Sequence, residues 1–259
     1  MFKVIAMRKL VKSILGSVGL EIKKIKKPVP FDMEESFVEI YEKCKEYSLC
    51  SVERMYSLYK SVEYICENNI QGSFVECGVW RGGSCMMIAE TLKKFEQTNR
   101  KIYLFDTFEG MVEPGELDVE MSIGVSAKES MSKVSKVEND PSNIWAYASL
   151  NEVKRNMKKT TYPEENIEYI VGKVEDTLPQ TTIKDIALLR LDTDWYESTR
   201  VEMEQLYPEL NSKGILIIDD YGHFKGARQA VDEYFEKNNK KVFMSRVDNT
   251  ARLIVKSEN

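Results

Sequence analysis

Two apolar runs, each ending in a pair of acids, set the strongest limit on what this chain can fold into. Ile186-Ala187-Leu188-Leu189-Arg190-Leu191 leads into Asp192-Thr193-Asp194, and Gly214-Ile215-Leu216-Ile217-Ile218 leads into Asp219-Asp220. Short, near-continuous apolar runs of this kind, with helical patterns between them, belong to a parallel sheet buried on both faces. Ligands of such sheets gather at the carboxyl ends of the strands, where both acid pairs fall. Asp192 and Asp219 lie 27 residues apart, one strand–helix–strand step, so their strands are expected side by side. Crowded carboxylates repel one another unless a cation or a proton stands between them, which points to a hard metal ion at this edge. Neighbours in a continuing strand face opposite sides. Asp219 and Asp220 can therefore both serve the ion only if the strand stops before them, as Tyr221-Gly222 indicates. Otherwise one acid binds metal while the other caps a loop or pairs with Arg228.

The rest of the chain supplies the matching alternation. Ser73–Cys77, 101–105 and Ile167–Val171 read as three earlier strands, and 86–95, about 198–210 and 226–237 as helices. The stretches 241–247 and 251–256, around Asp248-Asn249-Thr250, read as a hairpin. The fold class is therefore α/β: a Rossmann-like, mostly parallel sheet with a C-terminal antiparallel hairpin and helices on both faces. Lys27-Pro28-Val29-Pro30 closes a basic appendage, residues 1–30, and 31–259 form one domain. Within that domain, 31–72 holds helices patterned on Phe37, Ile40, Tyr41 and Cys44, then Val52, Met55, Tyr56, Tyr59, Val62 and Ile65. Residues 107–166 form an excess between the second and third strands. Its first part is polar and read as mobile, and Ser149-Leu150-Asn151-Glu152 is a capping box opening a helix. An insertion at the ligand edge is expected to act as a lid, with a plain surface excursion as the alternative.

Charge and cysteine content exclude several classes. The net charge of −5 divides into +7 over residues 1–27, eight Lys/Arg against Glu21 alone, and −12 over the remainder. An acidic body argues against nucleic acid as a partner. Five cysteines without a CxxC pair, and a single histidine, argue against structural zinc and for reduced thiols in a cytoplasmic protein. The first residues show no signal-peptide cleavage site, and no segment has the length of a membrane span. Val4, Met7, Val11, Ile14, Leu15 and Val18 recur at helical spacing among Arg8, Lys9 and Lys12. Such a helix can rest on an anionic membrane as a peripheral contact, or pack on the body or a partner chain.

Glu76-Cys77-Gly78-Val79-Trp80-Arg81-Gly82-Gly83-Ser84 follows the first strand. Gly78 lets backbone approach a ligand, and Gly82 opens a helix whose amides can hold an anion. The spacing is neither that of a dinucleotide fingerprint nor that of a P-loop. Glu76 suits an ammonium group, which points to a cofactor bearing an amino acid; a tight strand–helix turn explains the same residues. Asp106 ends the second strand, 28 residues after Gly78. It can accept ribose hydroxyls, or serve as a turn aspartate. Lys173 and Val174, after the third strand, fall where an adenine pocket would lie, and an ordinary loop accounts for them equally well. His223 is a candidate general base or a merely exposed loop residue.

Four blocks carry a family resemblance: Phe74 to Ser84, Phe105-Asp106-Thr107-Phe108-Glu109-Gly110, Leu191 to Thr199 with Asp192-Thr193-Asp194-Trp195-Tyr196-Glu197, and Asp219-Asp220-Tyr221-Gly222. In this order they resemble the macrocin O-methyltransferase (TylF/MycF-like) family, over about residues 35–256. The resemblance implies a class I methyltransferase sheet and an S-adenosylmethionine-dependent, Mg²⁺-requiring enzyme that methylates a sugar hydroxyl on a small-molecule or glycan acceptor. It implies that Glu76, Gly78 and Ser84 hold the methionine end of the cofactor, Asp106 the ribose, and Asp192, Asp219 and Asp220 the ion. A homo-oligomer is the family-level expectation. Catechol-type relatives place a lysine just after the first metal aspartate. Here Thr193, Asp194, Trp195 and Tyr196 stand there, leaving Asp194 and His223 as candidates for the proton acceptor. The competing readings are a dehydrogenase, a metal-dependent phosphohydrolase, and a non-catalytic adenosyl-ligand-binding or assembly protein.

Overall fold

The order of the strands explains why the two acid pairs meet. The structure, a computed structural model, describes residues 29–257; the amphipathic pattern of the basic N-terminus lies outside the described residues. From Glu34 onward the chain forms one unit. It begins with helices α1 (Glu35–Cys44) and α2 (Val52–Glu67), followed by β1 (Ser73–Cys77), α3 (Gly83–Lys94) and β2 (Ile102–Asp106). The insertion contributes β3 (Val119–Glu120), β4 (Val125–Ser126), α4 (Ala127–Ser132) and α5 (Leu150–Lys158). Then come β5 (Ile167–Val171), α6 (Val174–Thr177), β6 (Ile186–Leu191), α7 (Tyr196–Gln205), β7 (Leu210–Ile218), α8 (Lys225–Lys237), β8 (Met244–Arg246) and β9 (Arg252–Val255).

Seven strands lie in the order β5-β2-β1-β6-β7-β9-β8. The first five are parallel, β9 runs antiparallel to β7, and β8 antiparallel to β9. The chain winds outward from β1 to β2 and β5, then returns to β6 on the other side of β1. This reversal opens a crevice at the carboxyl ends of β1 and β6, the position at which open α/β sheets bind ligands. Every residue of β1 and β6 is buried, as their near-continuous apolar sequence requires. Strand β7 starts four residues before Gly214. It pairs Ile186 with Leu210 and then slips before Leu188 meets Ile215, with Lys213 in the left-handed region at φ 65°. The slip depends on a partner strand and leaves no apolar pattern of its own.

Helix α2 buries Met55, Leu58, Tyr59, Val62 and Ile65 and packs on α3. Its N-cap, Ser51, accepts from Arg54 N at 3.1 Å, which sets α2's first turn, and Arg54 with it, beside the acids. The first part of the insertion departs from the expected polar, mobile segment: it holds the β3–β4 hairpin and α4. Buried Asp118 anchors it, its Oδ1 accepting from Tyr196 N at 2.8 Å and its Oδ2 from Gly115 N at 2.7 Å. Met121 N donates to His223 O at 2.9 Å. Ala127 and Met131, one turn apart, pack with Trp195, Phe224 and Ala227. Two apolar residues in a short helix are too few to mark an amphipathic face in sequence. Only half of the capping box forms: Ser149 Oγ accepts from Glu152 N, but Ser149 N donates to Glu138 Oε1 at 3.3 Å while the Glu152 carboxylate turns to Arg81 and Arg155.

Candidate active site

A cavity of about 410 Å³ fills the crevice and is lined by the loops that follow β1, β2, β5, β6 and β7. Gly78, Ser84, Asp106, Lys173, Val174, Asp192, Asp194, Asp219, Asp220 and His223 all reach its wall. Most of the residues singled out from sequence are thus brought together.

Two are not. Glu76 is fully enclosed: Oε1 accepts from Arg190 Nη1 at 2.6 Å and from Ser84 Oγ, and Oε2 lies 3.1 Å from Cys85 Sγ. Burial raises its pKa, against the pull of Arg190. The side chain stands behind the wall rather than on it, and Ser84 is the member of the pair that faces the cavity. Gly82 turns into α3 at φ 88°, with α5 rather than the cavity at its back; an added Cβ would lie 3.4 Å from Val153 Cγ1.

At the glycine turn, Gly78 has φ 84°, and a Cβ there would lie 1.9 Å from the carbonyl oxygen of Asp192. Glycine is needed because the loops after β1 and β6 touch at the switch point. Asp106 performs the turn role and faces the cavity as well. Its Oδ2 accepts from Val79 N at 2.6 Å and Trp80 N at 3.2 Å, and its Oδ1 from Phe108 N at 2.7 Å. Burial raises its pKa, with these amides opposing.

The acids fall into two groups. Asp192, Asp219 and Cys50 present ligand atoms within 4.8 Å of one another, and Asp194, Asp220 and His223 do the same. Strand β7 ends at Ile218, so Asp219 and Asp220 both turn toward this edge. Two arginines, neither foreseen, neutralise the first group. Arg190 Nη1 lies 2.7 Å from Asp192 Oδ2, its Nη2 pairs with Asp219 Oδ1, and Arg54 Nη1 pairs with Asp219 Oδ2. A charged residue inside an otherwise apolar buried strand was the available signal for Arg190, since such a charge must find partners. Arg228, the sequence-level alternative partner, instead lies 3.6 Å from Asp232.

Among the described residues no arginine or lysine pairs with the second group. Asp194 sits in the left-handed region at φ 69°, a conformation an aspartate adopts at a cost and which clusters at functional sites. Burial, then the charges of Asp220 and Asp192, push its carboxyl well above the usual range. Burial likewise raises Asp192. His223 is partly exposed, 3.9 Å from Asp220 Oδ1 and 3.8 Å from Glu120 Oε1. Burial alone would lower its pKa; Asp220 and Glu120 outweigh it and raise the value, which favours the protonated ring. Asp220 Oδ2 is buried with no hydrogen-bond partner among the described residues. An orphaned carboxylate oxygen beside further hard oxygen donors is suited to a divalent ion, with the expected trio divided between the two groups, Asp192 and Asp219 in the first and Asp220 in the second.

The solved O-methyltransferase NovP has the same fold, with a TM-score of 0.71 and 24% identity over 98% of this chain and 99% of that one. Sheet order, switch-point crevice and terminal hairpin together define a class I methyltransferase. A family model for macrocin O-methyltransferase (TylF) matches residues 31–256. Demethyldecarbamoylnovobiocin O-methyltransferase of Streptomyces niveus is 31% identical over 191 residues, 74% of this chain and 68% of that protein. Mycinamicin III 3''-O-methyltransferase of Micromonospora griseorubida is 28% identical over 192 residues, 74% of this chain and 71% of that protein. The chain belongs to the macrocin O-methyltransferase family and is an S-adenosylmethionine-dependent O-methyltransferase. The dehydrogenase, phosphohydrolase and non-catalytic readings fall with that assignment.

Proposed function

We propose that this enzyme methylates a hydroxyl of a sugar or glycosylated small molecule, with Mg²⁺ held by Asp192, Asp219 and Asp220. The observation that carries this reading is the convergence of those acids with the Gly78 turn and Asp106 on one cavity wall. A relative from Streptomyces olivaceus, 31% identical over 192 residues and named as the 4'-O-methyltransferase of a rhamnosyl-tetracenomycin, supports the acceptor class. The cofactor supplies an electrophilic methyl group on a sulfonium. A bound Mg²⁺ would supply Lewis acidity that lowers the pKa of an acceptor hydroxyl.

The chain's own residues do the rest. Gly78, Ser84 and Asp106 line the cofactor end, with Lys173 and Val174 beside them at the expected adenine position. Trp195 and Phe224, in edge contact with centroids 4.9 Å apart, form an apolar wall that excludes water from the acceptor side. Asp194 accepts the hydroxyl proton as the oxygen takes the methyl group. It is preferred to His223 because its strained backbone places its carboxylate among the acids at the cavity wall, whereas His223 is partly exposed and drawn to two carboxylates. The cytoplasmic location and the membrane contact of the basic N-terminus belong to the same proposal. Among the described residues no helix is long and apolar enough to cross a membrane.

Titration calorimetry with S-adenosylmethionine, followed by S-adenosylhomocysteine release from sugar nucleotides and glycosylated fragments with and without a chelator, tests the reading. Failure to bind the cofactor would overturn it. Full turnover in chelator would remove the ion from it.

A further inference from the structure

The two arginines of the acid centre are held in different ways. Arg190 is enclosed and serves Glu76, Asp192 and Asp219 at once, so moving it strips three carboxylates of their counter-charge. Arg54 pairs with the other oxygen of Asp219. It comes from the first turn of α2, lines the cavity, and spans two acids: Nη1 pairs with Asp219 Oδ2, while Nε lies 3.2 Å from Asp248 Oδ2. That second contact is close but incomplete, because the buried Nε–H has no hydrogen bond of good geometry among the described residues. Asp248, in the turn between β8 and β9, is fixed in place. Its Oδ1 accepts from Thr250 N and Ala251 N, both at 2.9 Å, and its Oδ2 from Ser51 Oγ at 2.8 Å.

A divalent ion on Asp219 would bring a third cation onto a carboxylate already paired with Arg190 and Arg54, and the cations repel. Arg190 is held where it stands by Glu76 as well. Arg54 has an alternative seat: a rotation of its terminal torsions carries the guanidinium from Asp219 to Asp248 and completes the unmade Nε–H bond. We infer that Arg54 is a placeholder for the divalent ion, neutralising Asp219 when the ion is absent and passing to Asp248 when it binds. The inference rests on the proposed role of Asp219 as an ion ligand. Because Arg54 also donates to Leu49 O at 3.2 Å, its move is felt by the acceptor wall next to Leu49 and Cys50.

Mn²⁺ binding to the full chain, read by calorimetry and by the loss of the free-ion electron paramagnetic resonance signal, tests this without any activity assay. Arg54→Gln is expected to tighten Mn²⁺ roughly tenfold, toward the lower end of usual coupling between two sites. Asp248→Asn, which removes the alternative seat, is expected to weaken it. A simple field effect would give the same two signs, so the double variant decides. If Arg54 exchanges between the acids, Asp248→Asn changes nothing once Arg54 is gone; if the two effects add, the inference is wrong. Should Arg54→Gln not fold, a crystal structure of the wild-type protein soaked in MnCl₂ answers the same question. Arg54 on Asp248 supports the exchange, and Arg54 still on Asp219 overturns it. A wild-type protein that binds no Mn²⁺ removes the metal reading itself, and this inference with it.

Discussion

Glu76 and Arg190 are register partners on the adjacent parallel strands β1 and β6, and Arg190 Nη1 lies 2.6 Å from Glu76 Oε1. The same nitrogen lies 2.7 Å from Asp192 Oδ2, so a fully enclosed carboxylate is tied directly to the acids of the crevice. A buried pair of this kind adds little over apolar residues of the same volume, but removing one member leaves the other charged in a low-dielectric interior. Arg190→Met is expected to cost about 3–5 kcal/mol in urea denaturation. Glu76→Gln leaves Arg190 two carboxylates and should cost less. Since Glu76 stands behind the cavity wall, its variant should bind S-adenosylhomocysteine as the wild type does. A large loss of that affinity would show that Glu76 reaches the cofactor after all.

Asp194 and His223 flank Asp220, and replacing each separates their roles. Asp194→Asn keeps the shape of the side chain and removes the proton acceptor. Its kcat is expected to fall by about 10²–10⁴, with cofactor affinity unchanged in calorimetry. His223→Gln should lose far less. The reverse ranking, measured by S-adenosylhomocysteine release, would move the base to His223.

The strands were legible because β1 and β6 are buried on both faces and so carry near-continuous apolar runs, broken only by Glu76 and Arg190 after the opening Ser73. The acid pairs were legible because they terminate those runs. What decided the detail was strand order, which no single segment carries. Glu76 at a strand end reads as a ligand-binding acid until β6 is placed beside β1 with Arg190 in register. Arg54 is separated from Asp219 by 165 residues and meets it only because α2 caps the same edge. The α4 segment was missed for a different reason: its packing depends on Trp195 and Phe224, which lie far along the chain.

Glu202, in α7, makes stability depend on pH. It is fully buried; Oε1 accepts from Thr193 Oγ1 at 2.9 Å, and Oε2 has no partner among the described residues. Burial holds its carboxyl well above the ordinary value of 4.5. The folded protein therefore keeps a proton that the unfolded chain releases. This contribution is fully present below the unfolded pKa and is lost as pH rises toward the folded one. Denaturation from about pH 4 to pH 8 should show wild-type stability declining relative to Glu202→Gln, which stays neutral throughout. At the upper end the variant should be more stable by roughly 1–3 kcal/mol, the scale of an unsatisfied buried polar group. Parallel curves for the two proteins would show that Glu202 does not hold the proton.

Asp118 joins the insertion to the helix that follows the acid loop. Trp195, the N-cap of α7, offers no side-chain bond, and Asp118 Oδ1 supplies it by accepting from Tyr196 N at 2.8 Å. Room for that contact comes from Gly226 in α8, where a Cβ would lie 2.0 Å from the same oxygen. Met111, Val112 and Ile144, carried by the insertion, line the cavity, and Trp195 Nε1 donates to Val112 O at 3.0 Å. Asp118→Ala removes a cap worth about 1 kcal/mol and loosens the wall against which the acceptor packs. The expected result is a higher KM for the acceptor, faster proteolytic cleavage between residues 111 and 145, and an unchanged affinity for S-adenosylhomocysteine. Gly226→Ala should reproduce all three effects by displacing Asp118 from the other side. If either variant leaves acceptor KM untouched while the insertion becomes cleavable, the acceptor is held without this wall.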